Sequence, residues 1–277
     1  MRKILVIAGL ICLCSCTEFS ENCHYTGVVD LSIDKANLNS ETKSMKAVFF
    51  CGGNPALNFT IHGDTVLSSI NAGNNNVLLI NDISEVSFEN LNSKESAQLS
   101  LKTVTKGEKV YVTSAPLIFT DKKDVNVLPF DTVKLRLKPI STEKKINFNF
   151  KIKGDASVSA LSAELSGIQT KYSLSSMTPL TSEAILPFDG TMNDKNNFSK
   201  AIYTLGLNQK TGVKKVLTIS LNLSDQINIS QNIDLTNRFD NSEGAIIDCT
   251  IIITINNSQV NTIIQDWTTH DWGTINF

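Results

Sequence analysis

Three thiols crowd the start of the chain, at Cys12, Cys14 and Cys16, directly after an apolar run. Thiolates this dense could bind a soft metal or act as nucleophiles, and both chemistries need a fold to hold the sulfurs in place. The other cysteines, Cys23, Cys51 and Cys249, are widely separated. So sparse a set is no disulfide framework, although an exported chain could still pair two of them. Cys51 precedes Gly52-Gly53-Asn54-Pro55, which reads as a hairpin turn rather than as a loop around a nucleophile. Cys249 lies in a strand-like apolar run and reads as a buried thiol. None of His24, His62 and His270 has a partner at metal-ligand spacing. His24 adjoins Cys23, but neighbouring side chains on a strand point to opposite faces. No GxSxG elbow, P-loop or HExxH motif is present. Carboxylates are numerous but scattered, and nothing selects two of them as an acid–base pair. The expectation is a non-enzymatic chain that uses no cofactor and no metal.

The elements around Cys16 give the crowded thiols a simpler explanation. Arg2 and Lys3 supply positive charge, and Ile4 to Leu13 are almost wholly apolar. That run is too short to span a membrane and reads as a secretory signal. Its end, Leu13-Cys14-Ser15-Cys16, resembles a lipobox: a branched apolar residue, a small residue, then the acceptor cysteine. The Cys16 thiol would take a diacylglycerol before cleavage, and the freed amine a third chain. Each buried CH₂ contributes roughly 0.8 kcal/mol, so two or three chains anchor a protein without a transmembrane helix. Residues 1–15 would be the signal, and Cys12 and Cys14 would leave with it. A plain signal peptide with incidental cysteines is the alternative.

Beyond the signal the chain must fold without extreme charge. Its 25 basic and 27 acidic residues give a net charge of −2, no electrostatic footprint for nucleic acid. Period-two alternation dominates: Val29, Leu31 and Ile33; Val133, Leu135 and Leu137; Ile146, Phe148, Phe150 and Ile152; Leu217, Ile219, Leu221 and Leu223. Each run would bury one face and wet the other. Turn formers separate the runs at 52–55, 71–76, 106–107, 189–190 and 256–257. Residues 64–71 and 155–165 fit a short helix or a strand. The fold class is therefore all-β, with one or two short helices at most.

A polar, proline-containing stretch from Lys138 to Lys144 is the expected boundary. It divides the chain into a tether at 16–27, a β-sandwich at 28–140 and a second at 141–277. Near the end, Ile251, Ile253 and Ile255 should pair across Asn256-Asn257 with Val260 to Ile264. Trp267 should then close that end of the sandwich. Trp272 to Phe277 fit either a ligand surface or a strand lent to another molecule.

The segments "LPFDTVKLRLKPISTEKKINFNFKIKG" and "ALSAELSGIQTKYSL", with "YVTSAPLIF" before the junction and a closing Asp-Trp, resemble the fimbrillin-like lipoproteins of Bacteroides-type bacteria. That family comprises fimbrial shaft, anchor and tip subunits. The resemblance implies two tandem transthyretin-like β-sandwiches, outer-membrane attachment through lipid at the cell surface, and assembly with other fimbrial subunits by strand exchange. A host or bacterial surface ligand is a further partner that it implies.

In the family's shaft subunits a protease cuts after a basic residue and removes the first strand, and a neighbour's strand fills the groove. By this resemblance Val29, Leu31 and Ile33 form that first strand, and Trp267, Trp272 and Phe277 are packing or exchange residues. The only arginines are Arg2, Arg136 and Arg238, so no arginine-directed cut can release it. Lys35, Lys43 and Lys46 remain as processing sites for a protease of broader taste. Without a cut the first strand stays, which favours an anchor or other membrane-bound accessory subunit. The relatives also suggest O-glycosylation at Asp-Thr-apolar triplets, here at Thr65 and Thr132. A glycan-binding lipoprotein of a polysaccharide-uptake system is the rival reading.

Overall fold

The computed structural model describes residues 25–40, 42–52, 54–224, 227–256 and 259–271. Cys16, Cys23, His24, Trp272 and Phe277 lie outside the described residues. Strands up to the expected boundary are β1 (Thr26–Ile33), β2 (Met45–Cys51), β3 (Leu57–Ile61), β4 (Thr65–Asn71), β5 (Gly73–Asn81), β6 (Val86–Glu89), β7 (Gln98–Leu101), β8 (Thr103–Lys106), β9 (Lys109–Val112), β10 (Phe119–Val127), β11 (Thr132–Leu137) and β12 (Ile140–Ser141). Beyond it come β13 (Lys144–Gly154), β14 (Val158–Ile168), β15 (Lys171–Ser173), β16 (Thr178–Leu180), β17 (Ala184–Asp189), β18 (Thr191–Asp194), β19 (Asn197–Thr204), β20 (Val216–Leu223), β21 (Asn228–Asp234), β22 (Ile246–Asn256) and β23 (Gln259–His270). A single turn of helix, α1 (Thr236–Asp240), precedes β22. The fold is an all-β sandwich, as the alternation requires.

In the first half, the three-stranded sheet β11-β1-β4 packs on the five-stranded sheet β12-β10-β5-β2-β3. Val29 and Leu31 of β1 meet Phe49, Leu79, Val127 and Leu135 in the core between them. In the second core, a five-stranded sheet β18-β19-β13-β22-β23 faces a six-stranded one, β21-β20-β14-β17-β9-β8, whose last two strands come from before residue 141. Phe148, Phe150, Phe188 and Ile251 fill that second core. Phe148 stacks on Phe188 with ring centroids 5.3 Å apart.

β5 serves both cores. Val77 and Leu79 enter the first, while Leu78 and Ile80 enter the second. This is the continuous apolar reading of a strand covered on both faces. Two ladders also run across the 138–144 stretch: β7 pairs with β15, and β9 with β17.

Three details depart from the sequence reading. Residues 71–76 hold only a sharp change of sheet at Ala72, with Gly73 at φ +111°, and Asn74–Asn76 already belong to β5. Their amides make this tolerable, since Asn76 donates to Asp124 Oδ1 at 2.7 Å and Asn75 to the Asn71 carbonyl at 2.8 Å. β1 opens at Thr26, inside the stretch expected to be tether. Glu143, in the expected polar linker, is buried and accepts from the Ile118 N–H at 3.1 Å and the Ser141 hydroxyl at 2.6 Å.

Candidate functional site

The first strand is the middle of its sheet. β1 runs parallel to β11, from Val28 opposite Thr132 to Ile33 opposite Leu137, and antiparallel to β4 on its other side. Val29 and Leu31 are fully buried and Ile33 nearly so, while Val28, Asp30 and Ser32 face outward and are partly covered. Lifting β1 out would open a groove between β4 and β11, floored by apolar side chains and walled by unpaired backbone groups.

The ends of β1 are fastened. At its start, Gly27 lies against the β10–β11 turn so closely that a Cβ there would sit 2.3 Å from the Leu128 carbonyl oxygen. Only glycine permits that approach. At its end, Asp64 Oδ1 accepts the Ile33 N–H at 2.8 Å, and the Asp34 N–H donates to the Leu137 carbonyl at 2.8 Å. The Asp34 carboxylate accepts the Ala36 N–H at 3.1 Å and pairs with Arg136 at 3.0 Å. The Ala36 hydrogen bond first, then the guanidinium, holds Asp34 below the usual carboxylate range.

Residues 34–40 and 42–44 lie between β1 and β2 and border a cavity of about 280 Å³ beside Ile33 and Met45. Lys35 and Lys43 are exposed there. Lys46 instead lies within β2, paired with Asp82 at 2.9 Å and set over the Phe88 ring. The two Asp-Thr-Val triplets open the strands that flank β1: Thr65 begins β4 and is partly buried, and Thr132 begins β11 and is exposed.

At the other end of the chain, β22 and β23 form the expected hairpin, with Ile251 opposite Ile264 and Ile255 opposite Val260. Trp267 meets Phe239 of α1 edge to face at 4.8 Å, and its Nε1–H donates to Ser242 Oγ at 2.8 Å. It therefore ties β23 to α1 and to the turn that follows α1.

A second concavity, about 710 Å³, has no counterpart in the sequence reading. Asn54, Asn74, Asn76, Asn92, Ser93, Glu95 and Asp124 line it, with Phe50 at the wall. Its signal was the run of asparagines at 74–76, which reads more naturally as a turn.

Reactive chemistry is not assembled around either feature. Among the described residues no three His, Cys, Asp or Glu side chains group closely enough to hold a metal. His62 Nδ1 lies 3.1 Å from the Lys43 carbonyl, and His270 lies 3.3 Å from Asp248. Cys51 and Cys249 are free thiols, and burial pushes that of Cys249 up to about 12. No described helix is long and apolar enough to cross a membrane.

Among solved structures, a candidate adhesin of Bacteroides ovatus aligns with a TM-score of 0.62 over 80% of this chain and 88% of its own, at 14% identity. The fimbrial anchor protein Mfa2 of Porphyromonas gingivalis aligns at 0.59 over 88% and 98%, with 11% identity. The chain has the fold of these proteins. A candidate polysaccharide-binding protein of Bacteroides thetaiotaomicron aligns at 0.51 over 88% and 96%, with 11% identity. The fimbrillin-like resemblance is thus met at the level of the fold. No family model and no curated protein matches the sequence.

Proposed function

We propose that this chain is a non-enzymatic, adhesive or structural subunit of a cell-surface fimbria, anchored in the outer membrane by lipid on Cys16. Its working units are the sandwiches at 28–140 and 141–277, joined by the β7–β15 and β9–β17 ladders. The observation that carries the reading is the central seat of β1, a strand paired between β11 and β4, with alternate side chains in the core, and followed by a stretch that exposes Lys35 and Lys43. A partner's strand could take that seat by the same backbone ladder, with alternate apolar side chains filling the pockets of Val29, Leu31 and Ile33. Any lysine-directed cut falls at Lys35 or Lys43, because Lys46 is committed to the β2 ladder. Uncut, the subunit keeps its own strand and its lipid, which suits an anchor or accessory role. The fold shared with a fimbrial anchor and with candidate adhesins supports this reading.

Shearing tests it directly. The chain should co-purify with fimbriae sheared from intact cells, bound to other fimbrial subunits. Its consistent absence from fimbriae of a producing strain would overturn the proposal.

The asparagine-rich cleft favours glycan binding as a second reading, since side-chain amides match the paired donors and acceptors of sugar hydroxyls. Glycan-array binding lost on Asn74→Ala, an exposed amide of the cleft, with no association with fimbriae, would select it.

A further inference from the structure

Exposed apolar side chains are mostly scattered over the described residues, but two meet at one place and a third lies in the same turn. Tyr25 is 44% exposed, Leu128 49% and Phe130 83%. The Tyr25 and Phe130 rings touch edge to face at 5.6 Å. The cluster is built rather than loose. The Phe130 N–H donates to the Thr26 carbonyl at 3.0 Å, and the Val28 N–H to the Asp131 carbonyl at 2.8 Å. Phe130 itself sits at φ +58°, a left-handed conformation that suits glycine or asparagine and is rare for a bulky side chain. A strained backbone that holds an aromatic ring out in solvent gains little from packing within the molecule.

Position supplies the occupant. Tyr25 is nine positions after Cys16, and nine extended residues span at most about 30 Å. A lipid on Cys16 therefore keeps this end of the protein within reach of the bilayer surface. Aromatic and leucine side chains are the ones that settle at the boundary between headgroups and acyl chains.

We propose that Tyr25, Leu128 and Phe130 form a membrane-contact patch that docks the first sandwich on the lipid surface and fixes the subunit's orientation there. This deepens the anchored reading above and rests on it. Insertion of the turn would make the protein stand from the membrane on two supports, the acyl chains and the ring cluster, instead of swinging on a tether.

The test uses the mature chain in two forms, acylated at Cys16 and carrying Cys16→Ser. Vesicles of phosphatidylethanolamine with a minority of phosphatidylglycerol, brominated in their acyl chains, are the probe. In the acylated protein, Phe130→Trp should add quenching beyond that of the parent, whose signal comes from Trp267 and Trp272, whereas Val104→Trp, on exposed β8, should add none. In the Cys16→Ser protein, Phe130→Asn should lower vesicle partition roughly tenfold, the scale set by burying one phenyl side chain. The same substitution should leave Tm unchanged or raised, because asparagine tolerates the left-handed backbone.

Equal added quenching at both positions, or vesicle partition indifferent to Phe130→Asn, would overturn the patch. So would a substitution that abolishes binding to other subunits or to a second copy while sparing vesicles. If Cys16 proves to carry no lipid, the anchoring reading fails by itself, and the Cys16→Ser measurements still decide the patch.

Discussion

Leu31→Ala is the sharpest probe of the β1 seat. Leu31 is fully buried, in one core with Phe49, Leu79 and Leu135. Truncating such a leucine removes its transfer free energy and leaves a cavity, together about 2–5 kcal/mol. The first core is the smaller of the two, so partial collapse puts the expected cost near 3 kcal/mol. Ser32, one residue on, faces outward, and Ser32→Ala should change stability by less than about 0.5 kcal/mol. Urea unfolding followed by circular dichroism reads both values. The same contrast should govern exchange. In a chain clipped between Lys35 and Lys43, a labelled peptide copying residues 26–34 should displace the resident strand. The Leu31→Ala peptide should compete roughly a hundredfold less well, as about 3 kcal/mol requires, and the Ser32→Ala peptide as well as the parent. Equal competition by the two peptides would refute the claim that alternate side chains in pockets, and not the backbone ladder alone, hold this strand.

Gly27→Ala should destabilise the fold by about 1–3 kcal/mol, measured as a fall in Tm, because its Cβ would lie 2.3 Å from the Leu128 carbonyl oxygen and 2.7 Å from Val127 Cγ1. Native protein treated with iodoacetamide at pH 8 should remain unmodified at Cys249, whose pKa near 12 leaves almost no thiolate, and should react there once unfolded. Burial raises the Glu143 pKa above its ordinary 4.5, despite hydrogen bonds that oppose the shift. A raised carboxyl contributes stability that is complete below the unfolded value and is lost as pH rises through the folded value. Unfolding free energy measured between pH 4 and pH 8 should therefore fall less steeply in Glu143→Gln than in the parent.

Much of the fold was legible because burial here follows strict alternation. β1, β11, β13 and β20 each place the predicted residues inward, and the Ile251–Ile264 hairpin has the expected register. Where side chains compensate one another across the sheet, the sequence pattern misleads. Asn74–Asn76 look like a turn, yet the hydrogen bond between Asn76 and Asp124 lets them start a strand. Lys215 shows the same limit: it is 1% exposed within an apparently polar stretch because Asp240 pairs with it. Glu143 sits in what reads as a solvated linker, but donors 25 residues upstream and two residues upstream receive its carboxylate. The candidate site was half legible. Val29, Leu31 and Ile33 announce a strand, but not that it lies between β4 and β11 with a parallel partner. Nor does "LPFD" reveal that Phe130 stands out in solvent. Only the backbone conformation of the turn shows that.

Intact mass and N-terminal analysis of the protein taken from outer membranes tests the central claim most directly. The mature chain should begin at Cys16, carry two or three acyl chains and still include residues 26–33. A mature chain without acyl mass on Cys16 would contradict it.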